Sequence, residues 1–465
     1  MSDTPFGFRP EGEDDDRTPA RGDQAGAGGP VDPFGGLLGA LGGAGGGTGG
    51  AAPDLGAMLQ QLGRMLSWKG GPVNWDLARE AARHVVRAAG DRSVPDAERR
   101  AVEDAFRLAD LWLDDASAFP AGQGAPLAWS RAEWVEGTQE GWRGLVEPVA
   151  ARVSEAMQRT VPAEMAQAVG PLLGMMQQLA VSMWGAQVGQ GIGQLATEVC
   201  GTTDVGIPLG PPGRPALVPT NVRAFGEGLG LQERDVLVYL ALREAAHLRL
   251  HAHAPWLRAH VLSLVEEYAR HVEVDTDRIE SSLRDLDPQR PEAIQEAIEG
   301  GLFDVPTTPA QQAALDRLGL ALALVEGWVD DVVTLATADR LPAAAALGET
   351  VRRRRATGGP AEQTFATLVG LQLRPRRMRE AAAFWAAVRE ARGVPGRDAV
   401  WAHPDLLPSP DDLGDPSTFL RGAAELDVSA LDDAGAPPEP GTPDPGGPAA
   451  GPTSPGDGDD AAPLG

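Results

Sequence analysis

Apolar and polar positions alternate with a helical period through the middle of the chain, and the pattern fails at both ends. The run NWDLAREAARHVVRAAG (74–90) predicts a helix capped by Asn74 and stopped by Gly90. A short polar side chain satisfies first-turn N–H groups, and glycine tolerates the exit. In SVPDAERRAVEDAFRLADLWLDDAS (93–117), Pro95 falls in the first turn, and Val102, Phe106, Leu108, Leu111 and Leu113 form a broad apolar face. Ser130 and Glu133 have capping-box spacing, in which each side chain accepts from the other residue's backbone N–H. Long helices are predicted at about 145–160 and 163–198.

The texture then changes. TTDVGIPLGPPGRPALVPTNV (202–222) has short β-type runs broken by Gly and Pro, which predicts a small antiparallel hairpin. Beyond it, QERDVLVYLALREAAHLRLHAH (232–253) predicts a helix in which Val236 to Leu242 are apolar without a break. Such a helix is covered on nearly every side. Pro255 ends it and starts the next one, and residues 309–337 and 360–392 predict two more. No internal repeat is present, so the expected fold is mainly α, with one small antiparallel β element.

Composition sets the borders. Residues 1–70 are Gly-rich, with the acidic run EGEDDD at 11–16, and residues 404–465 are mostly Pro, Gly and Asp. Neither end has enough apolar surface to offset the entropy of ordering. Both are expected to be disordered, around a folded domain at 71–403. The net charge is −26, of which 404–465 contribute −12 and 1–70 contribute −4, leaving −10 on the domain. That balance argues against nucleic acid as a partner.

Cys200 is the only cysteine, which excludes an intrachain disulfide and a zinc site built from cysteines. No basic stretch followed by an apolar run opens the sequence, so a cytoplasmic location is expected. Met165 to Thr197 carry no charge, but Gln177, Gln178, Gln187, Gln190 and Gln194 cross the stretch and Pro171 interrupts it. No membrane span is expected there. Gly185, Gly189 and Gly193 instead predict a buried helix that another helix approaches closely.

Five of the seven histidines lie between His247 and His271, and four of them follow one glutamate: YLALREAAHLRLHAHAPWLRAH holds Glu244, His247, His251, His253 and His260. Positions four apart share a helix face, so Arg243, His247 and His251 form one ridge with Glu244 beside it. A zinc hydrolase uses this arrangement: imidazoles hold the metal, and a carboxylate one turn away takes a proton from its water. Downstream, VEGWVDD sets Glu326 and Asp330 at i and i+4. In one class of zinc peptidases such a glutamate is the third ligand, and the aspartate orients a ligand histidine. The run RRRR at 352–355 is expected to be a solvated helix face paired with acids.

The order of the Pro-rich segment, LREAAHLRLHAHAPWLRAHV, LVEGWVDDVV and RRRRATGGPAEQTFATLVGLQLRPRRMREAAAFW resembles the zincin-like metallopeptidase family of actinobacteria, over about 71–410. A sister group of that family is linked with biosynthesis of a deazaflavin coenzyme. The resemblance implies a zincin-like helical domain, a zinc cofactor and a peptide or protein substrate. It also implies an E-x-x-H motif with a histidine six residues on, at Glu244, His247 and His253.

Arg243 departs from H-E-x-x-H, because it stands where the first histidine would be. A guanidinium has no lone pair to give a metal. About 5 Å from a dication it would be repelled by roughly 6–7 kcal/mol at an effective dielectric near 20. Two readings follow. In a metal-dependent hydrolase, His247, His253 and Glu326 hold zinc, Glu244 is the base, residues 202–222 offer a strand edge to substrate, and Arg243 faces away. In a catalytically silent zincin that binds a partner through the former cleft, Arg243 pairs directly with Glu326. A single E-x-x-H is too little for a di-iron bundle, which needs two copies and further glutamates.

Overall fold

The computed structural model describes residues 70–159, 163–271, 308–356 and 377–422. The expectations of disorder at 1–69 and beyond 422, and of helix at 360–376, lie outside the described residues.

Local chemistry fixes the helix ends. Asn74 Oδ1 accepts from Leu77 N at 3.1 Å and opens α1, Trp75–Ala88. Pro95 precedes α2, Asp96–Leu113. The Ser130–Glu133 capping box forms and starts α3, Arg131–Gly137, which is followed by α4, Gln139–Arg159, and α5, Ala163–Ala196. After α6, Pro219–Gly226, the long helix α7 covers Glu233–His253, and Pro255 opens α8, Pro255–Arg270. A second capping box, Thr308 with Gln311, starts α9, Pro309–Thr337. Then come α10, Ala344–Ala356, and α11, Met378–Asp398. A 3-10 turn at Ala399–Ala402 ends the expected domain, and residues expected to be disordered from 404 onward continue as a 3-10 turn at Pro404–Leu406, then α12, Pro410–Gly414, and α13, Pro416–Gly422.

The centre is α7 and α9, both buried nearly all round, which is why their apolar runs have no polar face. Helix α2 packs on α7, while α11 and α8 pack on α9. Helix α5 lies against α1 along the predicted glycine seam. A Cβ on Gly185 would lie 2.6 Å from the Asn74 carbonyl oxygen, and one on Gly193 would lie 2.7 Å from Val85 Cβ. At Gly189 it would run into the Ala78 carbonyl. No helix among the described residues is long and apolar enough to cross a membrane.

The β element differs from the predicted hairpin. Strand β1, Leu127–Ala128, pairs in parallel with β2, Ala216–Leu217, in the register Leu127–Ala216 and Ala128–Leu217. Among the described residues, antiparallel pairing is confined to one bridge, Gly201 with Leu217. The reason lies in the first arm of the expected hairpin, because the Thr202 and Thr203 N–H groups donate to the Glu244 carboxylate. Those donors are then lost to any ladder. Both sides of β2 are used: Leu127 N donates to Pro215 O and Trp129 N to Leu217 O, while across the strand Val218 N donates to Cys200 O. The strand edge expected for a substrate at 202–222 is therefore taken within the fold.

A second buried cluster fixes the far side of α9. Arg397, with no exposed surface, donates to Asp331 at 2.7 Å, to Asp398 at 2.8 Å and to the Ala116 carbonyl at 2.8 Å. Asp398 in turn accepts from Ser117 Oγ, Ala118 N and Trp328 Nε1. Gly393, at φ +71°, bends α11 before Pro395 and brings this turn back onto α9.

The glycine seam yields a paired prediction. Gly189→Ala is expected to destabilise the protein by about 1–3 kcal/mol through overpacking against Ala78. Gly319→Ala, at a helical position with open space around its Cβ, is expected to stabilise it by about 1 kcal/mol through helix propensity. Urea-unfolding midpoints that moved in the same direction for both would contradict this account of the seam.

Candidate functional site

One turn of α7 lines the base of a cleft and packs against one turn of α9. From α7 come Arg243, Glu244 and His247, each at most 5 % exposed; from α9 comes Glu326, which has no exposed surface. Arg243 Nη2 donates to Glu326 Oε2 at 2.6 Å. His247 sets Nε2 2.9 Å from Glu326 Oε1 and Nδ1 2.8 Å from the Arg243 carbonyl oxygen. A third partner arrives from α10, where Arg355 Nη1 lies 2.6 Å from Glu326 Oε1. Burial acts to raise the Glu326 pKa, but Arg355, His247 and Arg243 hold it well below the usual carboxylate range. Burial alone would lower the Arg243 pKa, yet Glu326 keeps it above the ordinary arginine value.

The other predicted site residues are placed differently. Glu244 turns to the wall of the cleft and accepts from Thr202 N at 3.0 Å, Thr203 N at 3.1 Å, Ala216 N at 3.4 Å and both threonine hydroxyls. Burial raises its pKa, against the opposing hydrogen bonds from Thr202 and Thr203. Gly201 is required beside it, since a Cβ there would lie 2.5 Å from Glu244 Oε2. His253 stacks on Phe119 with ring centroids 5.1 Å apart, and its Nδ1 lies 2.8 Å from the Arg249 carbonyl oxygen. Asp330 accepts from Arg352 of α10 at 2.9 Å and lies 3.9 Å from Arg243. The carbonyl of Arg243, rather than Asp330, orients His247.

The structure brings Arg243, His247 and Glu326 together and adds Arg355, a partner that the motif does not signal. The arginine run, expected as a solvated face, instead turns Arg355 and Arg352 inward to Glu326 and Asp330, while the Arg353 side chain is 76 % exposed. Four consecutive cations on a helix must point in different directions, and that was the available signal. Thr202 and Thr203 gave no sequence signal for their role.

The cleft spans ≈ 620 Å³ including its open mouth, with apolar walls from Val199, Leu217, Phe225, Leu240 and Val351. Arg354 lies over the Phe225 ring and donates to the Glu198 carbonyl. Cys200 also lines the cleft, and burial pushes its thiol well above its ordinary pKa, so it is poorly suited to act as a nucleophile.

The donor set can be tested against zinc. His247 is oriented as a ligand would be, with Nδ1 on a carbonyl and Nε2 aimed at Glu326. The rest does not fit. Each Glu326 oxygen already meets a guanidinium, Glu244 is consumed by the wall, and His253 stacks elsewhere. Among the described residues no group of three or more His, Cys, Asp or Glu could hold a metal ion.

His251, one turn beyond His247, has both ring nitrogens buried without a hydrogen-bond partner. Burial, with His247 and Arg258 nearby, pushes its pKa from 6.5 down to about 3. Between those values the unfolded chain binds the proton and the folded chain does not, so stability falls as pH drops through that window. Glu326, with a lowered pKa, adds to the loss only below the ordinary 4.5. His251→Leu is therefore expected to remove a slope of up to about 1.4 kcal/mol per pH unit between pH 6 and 4.5. Urea titrations across that range check it, and an unchanged slope would contradict it.

Among solved structures, one from Chloroflexus aurantiacus, described as "a putative hydrolase with a novel fold", superposes with a TM-score of 0.54 at 21 % identity, covering 76 % of this chain and 99 % of that one. At that identity the likeness concerns the fold alone. No curated protein matches the sequence. The family model for zincin-like metallopeptidases matches residues 73–420, and the chain belongs to that family.

Proposed function

We propose that this chain is a catalytically silent zincin that binds a peptide or protein partner through the cleft above Arg243, His247 and Glu326. The observation that carries the reading is the Arg243–Glu326 contact at 2.6 Å, with both groups buried. A direct pair is what a silent site requires, and a metal site requires the arginine to face away. Glu244 supports the same reading, because a general base must face the water it deprotonates and this carboxylate faces five donors of its own wall.

Family membership alone would favour a zinc-dependent hydrolase with His247, His253 and Glu326 as ligands. His247 alone is oriented for that role, and the contacts of His253 and Glu326 oppose it. The cleft itself persists, apolar on its walls and polar at its base, which is the usual character of a binding site. With both sides of β2 engaged, a bound segment would be recognised by side-chain contacts rather than by adding a strand. The net charge of −26 favours a peptide or protein over nucleic acid.

Elemental mass spectrometry on untagged protein tests the proposal. Zinc well below one per chain is expected, unchanged in His247→Ala and Glu326→Ala. About one zinc per chain in the natural protein, lost in both variants, would overturn it. Glu326→Ala is also expected to cost about 3–5 kcal/mol, because it takes the carboxylate from the buried Arg243 and the half-buried Arg355; calorimetry or urea unfolding reads that loss.

A further inference from the structure

The arginine on α7 blocks a metal through its own position. The structure holds a second block that comes from another helix, and it rests on the metal-free reading above. We infer that Arg243 and Arg355 together stand in for the dication of a zincin site, so that metal is excluded twice and from two elements.

The argument is one of charge and place. Glu326 has no exposed surface, and an isolated carboxylate there would protonate rather than stay ionised. Its two oxygens are met separately: Oε2 by Arg243 Nη2 at 2.6 Å and Oε1 by Arg355 Nη1 at 2.6 Å. A neutral histidine and a zinc ion would bring two positive charges to this carboxylate. The two guanidiniums bring the same two. His247 Nε2 shares Oε1 with Arg355, so Arg355 sits where a metal bridging His247 and Glu326 would have to enter.

Arg355 is held in place independently of Arg243. Its Nη2 donates to the Asp204 carbonyl at 2.9 Å, and its helix is tied to α9 by Arg352 on Asp330 at 2.9 Å. Replacing Arg243 by histidine would leave that cation on Glu326. The sequence motif alone, with its one missing histidine, points to a single lesion; the structure assigns two.

The test uses full-length protein incubated with zinc, desalted and measured for metal content, with cobalt absorption as a second probe and circular dichroism for folding. R243H alone is expected to hold no stoichiometric metal. R243H/R355M is expected to hold about one per chain, with affinity on the order of 100-fold or more above R243H, since it removes a like charge a few ångströms from the ion. R243H/R355K, which keeps the charge, is expected to behave as R243H. R243H/R355Q serves as the neutral variant if the methionine protein does not fold.

Stoichiometric metal in R243H alone overturns the inference while leaving the silent reading intact. A folded neutral double variant that binds no metal overturns it as well. Zinc in the natural protein overturns the silent reading itself.

Discussion

A carboxylate with no exposed surface has to be matched by positive charge, and the arrangement around α7, α9 and α10 follows from that one demand at Glu326. Two guanidiniums answer it, Arg243 from one helix and Arg355 from another, and His247 lies 2.9 Å from the same carboxylate. Removing any of them changes the electrostatic balance at the centre of the fold, not at its surface. The same rule operates a turn further along α9, where Asp331 is matched by Arg389 and by the fully buried Arg397. Acids five residues apart on one helix thus organise different sides of it.

Glu244 shows how a residue can keep its position in a motif and change its work. In the H-E-x-x-H pattern the glutamate faces the metal-bound water. Here it gathers the Thr202, Thr203 and Ala216 N–H groups and sets the path of the chain from Gly201 into β2. The backbone donors it satisfies would otherwise be buried without partners, a cost of several kcal/mol. The short parallel pair depends on this carboxylate as much as on its own ladder.

Helices were legible because their signals are local. Asn74, Ser130, Pro255 and the unbroken apolar run Val236–Leu242 each act within a few residues, and the helices begin and end accordingly. The glycine seam was legible for the same reason: three glycines at fixed spacing permit one kind of neighbour. Pairing partners were not legible. Nothing in 202–222 says that its strand joins residues 127 and 128 or that its first arm belongs to Glu244. Arg243, His247 and Glu326 could be drawn together from the motif, whereas Arg355 needed the fold, because its partner lies on another helix. His253 follows His247 by six residues; α7 ends at His253, just before Pro255 as the sequence predicts, and the His253 ring stacks on Phe119 instead of turning back toward His247.

The internal cations also bear on the order in which the chain is made. Helix α9 leaves the ribosome with Glu326 and Asp331 while Arg355, Arg389 and Arg397 are still unsynthesised. Until they arrive, burying α9 against α7 would leave Glu326 with Arg243 and His247 alone and would enclose Asp331 without either of its guanidiniums. The centre of the domain is therefore completed from its C-terminal end. Arg397 and Asp398, which hold the turn after α2 by its Ala116 carbonyl, Ser117 hydroxyl and Ala118 N–H, act as a closing clasp for helices made much earlier.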